Sequence, residues 1–236
     1  MRLALLLVLL AGPAAAQQLT LDMGAGGESL TGRTVQLIAL VTVLSLVPGI
    51  AIMVTCFPFI VTVLSILRQA IGLQQAPPNM LMISLALFLT WFVMDPVLTE
   101  AWVNGVQPLT EGRSDLQTAW PAITGPFRAF MQARLDPDAY QALAALREGP
   151  VPALPDAPLS VLVPSFMLSE IQRAFETGFL LFLPFLVIDL VVSAVLMSMG
   201  MMMVPPAVVS LPFKLAFFVV ADGWSLVAAA LVRSYS

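Results

Sequence analysis

The chain has 236 residues, 59% of them hydrophobic and 10% charged, with a formal net charge of -4. Soluble domains are roughly 45–50% apolar and about a quarter charged, so this composition belongs to a membrane or lipid-adjacent protein. The ten Lys and Arg are scattered and offer no basic surface for phosphates, which excludes nucleic-acid binding. The absence of histidine removes Ser/His triads, His general bases and nearly all zinc-site patterns, so neither a metal nor another cofactor is expected.

Residues 1–16 have the layout of a signal peptide: Arg2, an apolar core from Leu3 to Ala11, Gly12-Pro13, then Ala14-Ala15-Ala16. The core is far shorter than the ~20 residues that span a bilayer. Cleavage after Ala16 is expected, leaving residues 17–33 as the mature N-terminal segment outside the cytoplasm.

Residues 34–98 hold two apolar blocks. From 34 to 67 there is no charge, and Pro48-Gly49 and Pro58 predict a broken helix or two packed helices. Cys56, between Thr55 and Phe57, reads as a small buried apolar residue rather than a nucleophile. A linker with Pro77-Pro78 follows, then a second block over residues 80–98 in which Asp95 is the single charge.

Over residues 99–160 the chemistry changes, with eleven of the 24 charges and prolines at 108, 121, 126, 137, 150, 152, 155 and 158. This predicts a polar, water-exposed region, 99–163, with short helices such as 138–147 joined by irregular chain. Residues 164–236 then form an amphipathic helix, 164–178, and a hydrophobic helical hairpin of two segments, 179–204 and 207–232, meeting at Pro205-Pro206. In the amphipathic helix Met167, Leu168, Ile171, Ala174 and Phe175 share one arc, and Ser165, Ser169, Gln172, Arg173 and Glu176 another. The expected fold is all-α: membrane-associated helical hairpins, four hydrophobic blocks, and a polar extracytoplasmic helical region between the second and third. Basic residues are too few to orient it, so sidedness rests on the signal peptide.

Charges in apolar segments normally find partners. Asp189 and Lys214 stand at equal distances from the predicted hairpin tip at Met201-Met202, about 18 Å along each arm. An ion pair bracing the hairpin is the natural inference, two separately solvated charges the alternative. Between them Met197, Met199, Met201, Met202 and Met203 cluster beside Gly200 and two prolines, either as core filler or as a deformable apolar gasket. Glu170, off the polar arc and beside Phe166 and Met167, fits a contact to a neighbouring subunit or a solvated rim charge. Asp222-Gly223-Trp224 reads either as an interfacial charge beside a tryptophan or as a buried polar contact.

The string PSFMLSEIQRAFETGFLLFLPFLVIDLVVSAVLMSMGMMMVPPAVVSLPFKLAFFVVADGW resembles the C-terminal half of FliP proteins, and PFIVTVLSILRQAIGLQQAPPNMLMISLALFLTWFVMDP their N-terminal half. Met80-Leu81 after PPN departs from the Gln-Val expected there. The resemblance implies a non-catalytic subunit of the bacterial type III protein-export gate, flagellar or its virulence counterpart, in the inner membrane at the flagellar basal body. It implies a multicopy ring, a pentamer, formed with FliQ and FliR and passing unfolded export substrates. It also implies that Met201, Met202 and Met203 form a pore-closing loop, that Asp189 and Lys214 support assembly, and that Glu170 serves contacts between copies. Family members hold their helices largely above the bilayer plane, so hydropathy-derived spans need not all touch membrane lipid. A proton-coupled transporter and an intramembrane protease are the rival classes. Both lack support, since no further mid-segment acids form a relay and Asp95, Asp189 and Asp222 show no paired catalytic spacing.

Overall fold

Residues 30–73, 76–201 and 203–235 are described by a computed structural model of the chain, side chains from residue 34 onward. The expected signal peptide and its cleavage site, and Met202, lie outside the described residues. All regular structure among the described residues is helical.

The first helix, α1 (Leu30–Met53), contains Pro48. The chain divides into compact units at Ser45, in the course of α1. Before that point its side chains are exposed. Its polar side chains bond locally, Thr42 Oγ1 to the Ile38 carbonyl and Ser45 Oγ to that of Thr42, both at 2.7 Å. A helix facing lipid must satisfy its polar groups in this internal way. Of the two interruptions expected in the first apolar block, Pro48-Gly49 lies inside α1, and the chain breaks at residues 54–56, just before Pro58. Pro58 lies in the first turn of α2 (Phe57–Ile71), where its missing N–H deprives no helical bond.

In the unit from Leu46 onward, α2 is the central helix. Phe59, Ile60, Val63, Leu64, Leu67, Ala70 and Ile71 recur at three- and four-residue spacing and are buried against α3 (Asn79–Ala101) and α7 (Leu159–Ser198). The close approach of α2 to α7 requires Gly178, since a Cβ there would lie 2.4 Å from Ile66 Cδ1. From α3 the chain continues through a π-helical turn (Trp102–Val106) into α4 (Gln107–Thr110), extending well into the predicted polar region.

That region holds a long helix, α5 (Leu116–Arg134), that tolerates Pro121 and Pro126 inside it. Asp115 caps it by accepting from Thr118 N at 3.0 Å, and Asp136 caps α6 (Pro137–Ala144) by accepting from Asp138 N at 2.8 Å. Met131, Leu135, Tyr140 and Ala157 close a second core on Val161, Leu162 and Phe166 of α7.

The predicted amphipathic helix and the third apolar block prove to be one helix. α7 contains Pro164 and Pro184 and has 40 residues, about 60 Å at 1.5 Å per residue. Both expected arcs are split: Ser165, Ser169 and Ala174 face the core together with Phe166, Glu170 and Gly178, while Leu168, Ile171 and Phe175 are exposed alongside Gln172 and Glu176. Gly178 lets Ile66 of α2 come close and Ser169 accepts the Asp136 N–H at 2.9 Å, so the partners of this face, and not its hydropathy alone, decide that it is buried. The last apolar segment is two helices, α8 (Pro206–Val220) and α9 (Gly223–Arg233), bent by 63°. Three described helical stretches are long and apolar enough to cross a membrane, and four if the bent pair counts as one.

Candidate functional site

The hairpin of α7 and α8 brings Asp189 and Lys214 together. Lys214 Nζ lies 2.6 Å from Asp189 Oδ2, with side chains 7% and 32% exposed respectively. Two further contacts complete the centre: Ser210 donates its hydroxyl to Asp189 Oδ1 at 2.6 Å, and Lys214 donates to the Ala70 carbonyl at 3.0 Å. Ser210 stands one turn before Lys214, on the same face of α8, so its role was within reach of helical spacing. The Ala70 contact, 144 residues distant in sequence, was not. The brace therefore ties three helices.

Beyond it, α7 ends at Ser198 and the chain turns through Gly200, whose φ of 76° suits glycine. Met201 N bonds the Leu196 carbonyl at 3.0 Å, closing the turn. Met197, Met199 and Met203 project outward, Met203 being 97% exposed, and Met201 is 41% exposed. Within this chain these methionines do not fill a core. Behind the turn, α7 and α8 enclose an apolar groove of about 540 Å³ that includes Val191, Val195, Met199, Met201 and Phe213.

Glu170 occupies a different kind of place. It has no exposed surface. Its Oε1 faces Arg134 Nε at 3.2 Å and Arg173 Nη1 at 3.4 Å, and its Oε2 accepts the Tyr235 hydroxyl. Arg134 donates onward to the Ser234 carbonyl at 2.7 Å, and its guanidinium lies 4.0 Å from the centroid of the Tyr235 ring. That ring stacks on Phe130 at 5.9 Å and meets Phe59 edge-on at 5.6 Å. Burial, and secondarily the Glu170 charge, push the Tyr235 phenol well above its ordinary value, which keeps it a donor. Both Glu170 oxygens are thus engaged by donors of its own chain. Arg134 and Tyr235 escaped sequence reasoning because neither belongs to a motif and each lies far in sequence from its carboxylate.

The remaining candidates are simpler. Asp222 is an exposed turn residue with φ 48°, at the bend between α8 and α9, where Phe218 and Trp224 meet edge-on at 5.3 Å. Asp95 is exposed on α3. Among the described residues no group of three or more His, Cys, Asp or Glu is placed to hold a metal ion.

Known proteins resemble the chain over most of its length. The FliP family is matched over residues 40–231. The chain is 54% identical over 226 residues to the flagellar biosynthetic protein FliP of Caulobacter vibrioides, covering 94% of this chain and 85% of that one. It is 48% identical over 211 residues to that of Agrobacterium fabrum, covering 88% and 86%. To that of Rhizobium meliloti it is 47% identical over 210 residues, again covering 88% and 86%. With these matches spanning both helical cores, the brace and the methionine turn, the chain belongs to the FliP family.

Proposed function

We propose that this chain is a subunit of the flagellar type III export gate in the inner membrane, at the base of the flagellum. In this reading five copies, with FliQ and FliR, surround a path along which unfolded flagellar proteins leave the cytoplasm. The observation that carries the reading is the tip of the α7–α8 hairpin, where exposed methionines stand on a scaffold braced by Asp189, Lys214, Ser210 and Ala70. A thioether side chain is unbranched and adapts to irregular surfaces. A ring of such tips closes against ions when empty and yields to varied polypeptides, while the brace keeps the arms from splaying.

The same division of labour needs no catalytic group and no cofactor. It also gives the exposed apolar face of Leu168, Ile171, Phe175 and Phe179 a role as contact surface for other subunits, since so large an unpartnered apolar area on one chain calls for a cover. The flagellar names of the relatives favour the flagellar system over a virulence counterpart. Asp189 is held by Lys214 and Ser210, which suits a structural carboxylate better than a proton carrier.

The test is expression of the chain with its neighbouring export-gate proteins, purification through an affinity tag on FliR, and native mass spectrometry. Complexes carrying several copies of this chain with FliQ and FliR support the proposal, as does restored motility in a strain deleted for its gene. A chain that purifies alone and leaves that strain non-motile overturns it.

A further inference from the structure

Glu170 is a fully buried charge and Arg134 a partly buried one, 15% exposed, and two residues that follow α9 add partners to both, while Arg134 Nη2 has none. Ser234 supplies the carbonyl for Arg134 Nη1, and Tyr235 supplies the hydroxyl for Glu170 Oε2 and the ring beneath the guanidinium. Without them one carboxylate oxygen and one guanidinium nitrogen lose their partners, and the faces of Phe59 and Phe130 that now hold the Tyr235 ring lie open. Arg173 cannot make good the loss. Its side chain is 35% exposed, and it touches the other oxygen, Oε1. An incompletely paired charge in an apolar setting is relieved by water, and water reaches this pair most readily if α5 lifts from α7.

Docking of residues 234–235 and docking of α5 on α7 are therefore coupled, each strengthening the other. The chain between the two contacts carries the information. Residues 171–233 comprise the rest of α7, the methionine turn, α8 and α9, so Tyr235 returns to Glu170 only when the hairpin has folded back on itself. We propose that Ser234–Tyr235 is a latch that locks the polar α5–α6 region onto α7 once the α7–α9 hairpin is complete. Its closure ties the base of the hairpin at Glu170, while the Asp189–Lys214 brace ties its middle and the methionine turn stays free.

The experiment uses the chain extracted in mild detergent, as wild type, as Tyr235→Leu, and as a form stopped after Arg233. Hydrogen exchange of residues 116–144 and tryptic cleavage at Arg128 and Arg134 report whether α5 and α6 remain docked, since cleavage inside a helix requires local opening. The latch predicts at least about tenfold faster exchange and cleavage there, with α2 and the 180–198 part of α7 little changed. Should the shortened chain fail to accumulate, Tyr235→Leu alone decides. Rates equal to wild type in residues 116–144 overturn the proposal, and so does a uniform rise over every helix, which would mark general destabilisation. The readout needs neither a ring nor a partner, so it stands or falls separately from the export reading.

Discussion

The Lys214 ammonium closes the end of α2: its Nζ lies 3.0 Å from the carbonyl oxygen of Ala70. The neighbouring carbonyls of Arg68 and Gln69 are taken by the backbone N–H groups of Leu73 and Gly72, where Gly72 adopts φ 90° as the helix ends. Ala70 is left for a side chain, and a cation at a helix C-terminus is favoured by the helix dipole. Lys214 thus joins a terminal carbonyl of α2 to the carboxylate of α7, and its loss should be felt at both.

The two partners of the brace are unequally buried, so their substitutions should be unequal. Asp189→Ala leaves an ammonium that is 7% exposed with the Ala70 carbonyl as its remaining acceptor. Breaking a fully buried pair costs about 3–5 kcal/mol, and the 32% exposure of Asp189 should bring the loss here below that range. Lys214→Met keeps the apolar stem and leaves a carboxylate that is 32% exposed and still bonded by Ser210, so it should be the milder change. The double variant Asp189→Leu with Lys214→Met should recover part of the Asp189→Ala loss. Denaturant unfolding in detergent, with protein level in membranes, reads all three; strictly additive effects would dissolve the coupling.

Gly178→Ala should loosen the α2–α7 contact. The added carbon would meet Ile66 at 2.4 Å from Cδ1, 3.0 Å from Cγ2 and 3.1 Å from Cβ, so rotation of the far methyl alone cannot make room. Overpacking of this kind costs roughly 1–3 kcal/mol. Ile66→Ala in the same chain removes the obstacle and should restore much of the melting temperature. If the double variant melts no higher than Gly178→Ala, steric conflict with Ile66 is not the reason for the glycine.

Cys56 should be inert in the folded chain. It is fully buried at the start of α2, and burial pushes its thiol from 9.0 up to about 12. Because the folded value is the higher one, the neutral thiol favours the native state below pH 9. That contribution declines as pH rises from about 9 towards 12. At pH 8 a maleimide should label Cys56 very slowly in mild detergent and completely after denaturation. Rapid labelling of the native chain would show that the α2–α3–α7 core opens far more readily than its packing implies.

What was legible in the sequence was local or followed one period. Four apolar blocks, the turn at Gly200 to Pro206 and the facing of Asp189 and Lys214 all follow from hydropathy and counting along two arms. The prolines misled. Pro48, Pro121, Pro126, Pro164 and Pro184 all lie inside helices beyond the first turn, so each removes one backbone donor without ending its helix. The buried face of α7 was illegible for a different reason. Gly178 lies against Ile66 of α2, Ser169 accepts the Asp136 N–H, and Glu170 meets Arg134 and Tyr235, and such long-range partners leave no periodic trace.

The methionine turn should govern closure more than assembly. Met201 and Met203 are exposed and outside the described cores, so Met201, Met202 and Met203 changed together to Ala should leave the braced hairpin and the amount of assembled complex nearly unaltered. The seal should suffer, because shortening three thioether chains in every copy removes the apolar volume that would meet on the axis. The measurement is leakage of ions or a small solute into cells producing the complex, compared with wild type at equal complex abundance. Leu at the three positions should seal better than Ala because it restores apolar bulk, yet should slow export because its branched chain adapts less readily than methionine. An intact seal in the triple-Ala complex would remove the methionines from the closure mechanism. It would shift attention to the apolar groove behind them, where Val191, Val195 and Phe213 lie.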